Sequence, residues 1–280
     1  MPPIEDDDDR PRSRDRGSHD DGDDDRPRRR KRRDDDDYDD GPREKKSGGC
    51  SVVAIIIIVV VVVILGCGGL VAIGLLLPAV SKVREAAARM SEMNNMKQVS
   101  LGALNVASAN AALPPAEGRV SWRVHILPYV EQEGVYRQFN LNQDWNEGQN
   151  QQTASILIKT YVSPLDEPGT TQTHYRTFTG PGTIYDPKLM KAAVFPNYIA
   201  DGVSNTIFAV DTTDAIPWPQ PKEIAFGPNS TLPELGNSKR AQGLIAMCDG
   251  SAKSFDKKTM DPNIIRMMVT AAGGEVVPAW

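Results

Sequence analysis

The stretch CSVVAIIIIVVVVVILGCGGLVAIGLLLPAV, Cys50 to Val80, runs for about thirty residues without a charged side chain. A helix rising 1.5 Å per residue crosses a hydrocarbon core of roughly 30 Å with about 20 apolar residues, so this run is long enough to span one. Read as a transmembrane helix, it divides the chain into unlike parts. Residues 1–49 are expected to form a disordered, charged, cytoplasmic tail, 50–80 the transmembrane helix, 81–112 an amphipathic continuation of the helix, and 113–280 a β-rich exported domain. The net charge of -5 averages over a heavily charged tail and a far less charged remainder, and says little about partners of the folded part.

The tail is built from runs of one sign. Asp6 to Asp9, Asp23 to Asp25 and Asp34 to Asp37 surround the basic block RPRRRKRR, Arg26 to Arg33. With almost no apolar residues, nothing offsets the entropy of ordering it. The basic block has the composition of a nucleic-acid or anionic-lipid site, but the aspartate runs compete for the same charges, so a solvated tail is the favoured reading and nucleic acid is not a favoured partner. Arg43, Lys45 and Lys46 precede the span behind that block, and Lys82, Arg84 and Arg89 follow it. The balance of Lys and Arg keeps the tail in the cytoplasm and sends the domain across the bilayer.

A secretory signal has a short basic leader and 7 to 15 apolar residues, and neither fits. Ile64-Leu65-Gly66-Cys67 has the form of a lipoprotein cleavage box, but apolar sequence continues to Val80, so an uncleaved span is preferred to lipidation at Cys67. Gly66, Gly68, Gly69 and Gly74 put small residues on the second half of the span, with Gly68 and Ala72 at small-xxx-small spacing, a hint of helix association. After Pro78, which should kink the helix, the Ala-, Met-, Lys- and Glu-rich sequence to Ala112 favours continued helix. From Ser51 to Ala112 that helix would be on the order of 90 Å long. Val80, Val83, Ala87, Met90, Leu101 and Leu104 fall on one face, interrupted by Asn94 and Lys97. That stripe is read as the seat of the globular domain rather than a cofactor site.

Beyond Pro115, short apolar or β-branched runs alternate with turn residues. Arg119 to Leu127, Thr173 to Thr179, Asn205 to Val210 and Leu244 to Phe255 read as strands. Asp201-Gly202 and Asp249-Gly250 are turn signals, the latter a hairpin between Gly243-to-Cys248 and Ser251-to-Phe255. Asp261 to Ala272 reads as a last short helix.

The ordered motifs Leu75 to Val80, Arg84 to Met90, Asn94-Asn95, Ser121 to Val124, Leu127 to Gln132 and Ser163 to Pro168 together resemble one bacterial family of prepilin-like proteins, domain of unknown function 1559. Leu75-Leu76-Leu77-Pro78-Ala79-Val80, Arg84-Glu85-Ala86-Ala87-Ala88-Arg89-Met90, and Asn94-Asn95 with Lys97-Gln98 resemble its start. Ser121-Trp122-Arg123-Val124 with Leu127-Pro128-Tyr129-Val130-Glu131-Gln132 resembles its W-R-V-x-x-L-P-Y-x-E-Q segment. Ser163-Pro164 with Asp166-Glu167-Pro168, Asp201 to Ile207, Pro217-Trp218 with Pro221, Asp249-Gly250-Ser251, and Gly273 to Val277 resemble later segments, so the resemblance covers about Leu75 to Val277.

The resemblance implies a likeness to type IV pilins and type II secretion pseudopilins. Its fold would be α+β, with a long N-terminal helix, membrane-spanning in its first half, packed on an antiparallel sheet, and its place the inner (cytoplasmic) membrane. Family members usually carry a short basic leader and a G-F-T-L-I-E site. Here a long tail precedes Val52 and the span contains no glutamate. Two cysteine positions of the family pattern are occupied by Glu92 and Ser163. If the family pairs those cysteines, both partners have been replaced together.

No constellation in the domain carries recognisable chemistry. Cys248 stands alone there, so no internal disulfide or thiolate metal site can form. His125 and His174 are read as surface or core residues. No G-x-S-x-G or H-E-x-x-H occurs. Gly180-Pro181-Gly182 lacks the lysine of a phosphate loop and reads as a tight turn. Asp249, Ser251 and Asp256 offer oxygens to Ca²⁺ but fit turn chemistry better. Trp122, Trp145 and Trp218 read as core rather than a carbohydrate platform. No catalytic, cofactor-binding or metal-binding residue is therefore assigned and no cofactor is expected. The reading is a non-enzymatic, single-pass pilin- or pseudopilin-like protein acting in surface structure, secretion or protein interaction. Its partners would be the lipid bilayer and other pilin-like subunits through the span. The alternative is an extracytoplasmic polymer- or carbohydrate-binding module tethered to the membrane.

Overall fold

A computed structural model describes residues 51–227 and 229–278, with 70–79 described by their backbone alone. The expectation of a disordered tail falls outside the described residues. The chain divides into two compact units, 1–60 and 61–280. In the first, the described residues open helix α1, which runs over Val52–Asn110 as one element and passes through Pro78. Val52–Gly69 is long and apolar enough to cross a membrane, and its window is wholly unburied.

Within residues 61–280, α1 is followed by α2 (Trp122–His125), a 3₁₀ turn (Leu127–Val130), α3 (Glu133–Tyr136), α4 (Gly148–Thr153) and a second 3₁₀ turn (Lys159–Tyr161). Then come β1 (Gln172–Arg176), β2 (Phe178–Thr179), α5 (Pro187–Ala192), β3 (Ile207–Pro217), β4 (Ile224–Ala225), β5 (Gln242–Met247), β6 (Ala252–Asp256) and α6 (Pro262–Val269). The fold is α+β, as read from the sequence. Strands order β1-β3-β5-β6 in one antiparallel sheet. A two-residue parallel pair, β2 with β4, was not foreseen.

The sheet is buried on both faces, and β5 shows why. Leu244, Ala246 and Cys248 join the cluster that contains Met96, Val99 and Ala103 of α1, whereas Ile245 and Met247 join Ile265, Met268 and Val269 of α6. Successive side chains leave a strand on opposite faces, so an all-apolar strand suits a two-sided core. In β3 the register shifts between Ile207 and Ala209, and Phe208 and Ala209 both join the α1-side cluster.

The apolar stripe expected to seat the domain is on the other side of α1. Val80, Val83, Met90 and Leu101 are 44, 68, 72 and 49 % exposed, while the buried positions are Glu92, Met96, Val99, Ser100, Ala103, Val106 and Ala107. The small residues Ser100, Gly102 and Ala103 on the domain side of α1 permit close approach there. A Cβ on Gly102 would stand 3.3 Å from the Cβ of Ile126. Ser100 also donates through its hydroxyl to the Met247 carbonyl at 2.7 Å.

A second correction concerns Arg119 to Leu127, which is no strand. Ser121 caps α2 by accepting from the Arg123 N–H at 3.3 Å, and Pro128 stands in the first turn of the following 3₁₀ helix. Alternating apolar residues here meet helix-start chemistry, which the sequence pattern alone does not weigh. The expected strand over Thr173 to Thr179 is split at Thr177 into β1 and β2, and β3 runs on to Pro217 rather than stopping at Val210. The Asp249-Gly250 hairpin is present, with Ala246 opposite Ala252, and Gly250 takes the left-handed φ of 88° that the turn needs. The last helix begins where Asp261 caps it, accepting from the Asn263 N–H at 2.8 Å.

Candidate functional site

Charged side chains from distant parts of the chain meet between α1 and the sheet. Glu92 comes from α1, Asp211 from the middle of β3, and Arg240 from the loop before β5; the three side chains are 1, 0 and 7 % exposed. Arg240 Nη1 lies 2.8 Å from Glu92 Oε2, and its Nη2 pairs with Asp211 Oδ2. The Ser163 hydroxyl donates to the other Glu92 oxygen. Asp211 further accepts the backbone N–H of Leu244 at 2.6 Å and that of Asn237 at 3.1 Å. One guanidinium thus stands between two buried carboxyls. Burial pushes both carboxyls up from their ordinary values, Arg240 opposes that in each, and the charge of Asp211 adds to the rise at Glu92.

A second polar group adjoins the first. Asp166 Oδ1 lies 3.3 Å from His174 Nε2, 3.4 Å from Asn237 Nδ2 and 3.7 Å from Lys239 Nζ. His174 Nδ1 is 2.8 Å from the Thr212 carbonyl, an acceptor only, so Nδ1 carries a proton there. Two open depressions flank Asp166 and Glu167. One of about 220 Å³ is lined by His174, Asn237 and Lys239, and one of about 530 Å³ by Ser91, Asn95 and Ser163.

Catalysis by serine would need a base on the hydroxyl and a third group orienting that base. Ser163 and His174 are both in the region, but the Ser163 hydroxyl is turned to Glu92 and the histidine spans Thr212 and Asp166. These contacts join α1, β1, β3 and two loops, which is the work of a clamp. Among the described residues, no three His, Cys, Asp or Glu side chains converge as metal ligands.

Glu92 and Ser163, the two positions expected to have been replaced together, are side by side. Other residues singled out in the sequence are spent on the fold. Trp122 and Trp218 are fully buried and Trp145 packs partly buried against the same core. The Trp218 Nε1–H donates to the Ile156 carbonyl at 3.0 Å. Gly180-Pro181-Gly182 is a tight turn whose Gly182 N–H is already held by Asp186 at 2.8 Å, and a Cβ on Gly180 would fall 2.2 Å from the Phe226 carbonyl oxygen. Asp249 accepts from Ser251 N–H and Asp256 from Lys258 N–H, both at 2.8 Å, as turn residues do. Burial pushes His125 down and Cys248 well up, away from the thiolate.

Arg123 was quoted as part of a motif, but its role was missed. Its side chain is fully buried and donates to the carbonyls of Trp218, Tyr175 and Gln220 at 2.8, 2.7 and 2.8 Å. Its Nη2 also lies 3.0 Å from Glu223, itself 2 % exposed. Glu223 in turn accepts the Thr177 N–H at 2.8 Å, and the Arg123 carbonyl accepts the Tyr161 hydroxyl at 2.6 Å. The W-R-V segment therefore fastens the irregular layer to the loop after β3. That is a geometric reason for arginine, since a planar fork of donors can meet several fixed carbonyls at once. Asp211 had a weaker readable signal, an acid placed directly after the apolar run Ile207 to Val210.

The segment carrying these motifs can be placed. Residues 81–198 match the model of a family described as a protein of unknown function, DUF1559. The chain is similar to that family over residues 81–198, under half of its length. No curated protein and no solved structure matches the chain. The match takes in Glu92, Arg123, Ser163, Asp166 and His174, so both buried networks are rooted in the DUF1559 segment and completed by residues that follow it.

Proposed function

We propose that this chain is a non-enzymatic, single-span pilin- or pseudopilin-like protein. Its charged tail stays in the cytoplasm, and its DUF1559 domain is exported across the inner membrane to act in surface structure, secretion or protein interaction. The observation that carries this reading is a single helix with two characters. Its start, Val52–Gly69, is apolar and unburied, and its later turns bury Met96, Val99, Ala103 and Val106 in the domain core. The buried networks support a non-enzymatic role by engaging their own serine, histidine and carboxyls. Trp122 and Trp218 give the carbohydrate-binding alternative no platform, because neither has an exposed face.

The test is the N-terminal sequence and intact mass of the full chain after alkaline-carbonate washing of membranes. An unprocessed start at Met1 or Pro2 in the washed pellet is expected. Release into the wash would sink the anchor. A start near Val52 would show pilin-type processing, and a lipidated Cys67 would replace the spanning topology with a lipoprotein.

A further inference from the structure

We infer that the loop Ser163 to Gly169 is a strap latched in acid by a doubly protonated His174, and that loss of one proton unlatches it. The loop stands between the two depressions beside Asp166. Ser163, Pro164, Asp166 and Glu167 line the one of about 530 Å³, and Asp166 and Glu167 also line the one of about 220 Å³. Lifting this shared wall joins the two into one groove. Pro164, Glu167, Pro168 and Gly169 are exposed, so the loop is held by its other residues. Ser163 is fixed to Glu92 of α1, the Leu165 carbonyl accepts from Lys239 Nζ at 2.8 Å, and Asp166 meets His174, Asn237 and Lys239. The histidine is the member of this set whose proton count changes most readily near neutral pH.

Both ring nitrogens of His174 face acceptors. Nδ1 is 2.8 Å from the Thr212 carbonyl and Nε2 is 3.3 Å from Asp166 Oδ1. The carbonyl only accepts, so Nδ1 keeps its proton, and a neutral ring then turns the lone pair of Nε2 toward a carboxylate oxygen. Two acceptors cannot bond each other. With a second proton Nε2 becomes a donor, and the contact becomes a charge-assisted hydrogen bond between side chains only 10 % exposed. The sign follows: the closed strap gains from the proton, so acid tightens the latch and rising pH releases it. The other charges around the pair act on both sides. Asp211 and Glu167 favour the second proton, whereas Lys239 beside Asp166 and Arg240 on Asp211 oppose it. Glu92 and Asp211 also gain protons in acid and reach the strap through Ser163, so the test must separate them from the histidine.

Hydrogen exchange of the full chain in detergent, read by mass spectrometry at pH 5.5 and pH 8 and scaled for the intrinsic rate at each pH, tests this. Amides of the strap are expected to open at least about threefold more at pH 8, with a smaller change in β5. His174→Gln keeps a donor for either acceptor but does not titrate, and Asp166→Asn removes the anion. Each should flatten the difference, while His125→Gln should keep it. Nitrogen-15 spectra should show His174 protonated on Nδ1 throughout and gaining the Nε2 proton in acid. A strap equally open at both pH values, or a difference that survives both His174→Gln and Asp166→Asn, would overturn the latch. So would a neutral His174 that carries its proton on Nε2. A difference kept in His174→Gln and lost in Glu92→Gln would overturn it too, by assigning the response to the acids around Arg240.

Discussion

The two buried arginines solve unlike problems. Arg123 meets three backbone carbonyls and one carboxylate, so its donors hold fixed groups and its charge has a single partner. Arg240 stands between two carboxylates, Glu92 and Asp211, whose pKa values burial has raised. The first cluster is a rigid joint with no spare charge. The second holds one more acid than base and can take up a proton. A buried ion pair is thus not one kind of object, and the count of acids around the base decides whether it responds to pH.

That contrast can be broken at three points. Replacing Arg123 by Ala should have the largest effect, about 3–5 kcal/mol of lost stability, because it leaves Glu223 buried without its partner and strips three carbonyls of their donor. Urea unfolding of the full chain in detergent at pH 8 measures it.

Replacing Arg240 by Ala should cost less, about 2–3 kcal/mol at pH 8, and less again at pH 5, where Glu92 and Asp211 can shed their charge by protonation. The sign follows from the raised carboxyl pKa values. In the parent chain each acid contributes stability that is fully present below its ordinary value, 4.5 for Glu92 and 3.8 for Asp211, and is lost as pH rises through the raised one. His125, whose pKa is lowered, acts in the opposite sense: its share is present above 6.5 and lost as pH falls. Melting temperatures of Glu92→Gln and the parent, compared across pH 4 to 8, isolate the acid. The parent should lose more than the variant as pH rises.

The smallest effect is expected for Ser163→Ala, about 1 kcal/mol at neutral pH. It removes the donor that holds the Glu92 pKa down, so the same melting series should show a steeper loss with rising pH. An unchanged slope would mean that Ser163 packs against Glu92 without tuning it.

Much of the fold could be read from local pattern. The charge-free run at Cys50 to Val80, the Asp249-Gly250 hairpin and the Asp261-capped last helix each depend on residues close together in the chain. The DUF1559 match over 81–198 likewise agrees with motifs quoted residue by residue. The clamp was not readable in this way. Glu92 and Ser163 were noticed as replaced together, but Arg240 and Asp211, 29 positions apart, gave no pairing signal.

By itself the sequence determined which segment can leave water and where several turns fall, because composition and turn chemistry act over a few residues, while the α+β class followed from the family resemblance. Only the tertiary structure decided which side of α1 is buried, that Arg119 to Leu127 is helical rather than extended, and which acids share Arg240. A helix with apolar residues on both sides, Val83 and Met90 on one and Met96, Val99 and Val106 on the other, has two faces able to pack. The choice between them is made by close approach to the Ile126 turn and the sheet, whose residues lie far along the chain.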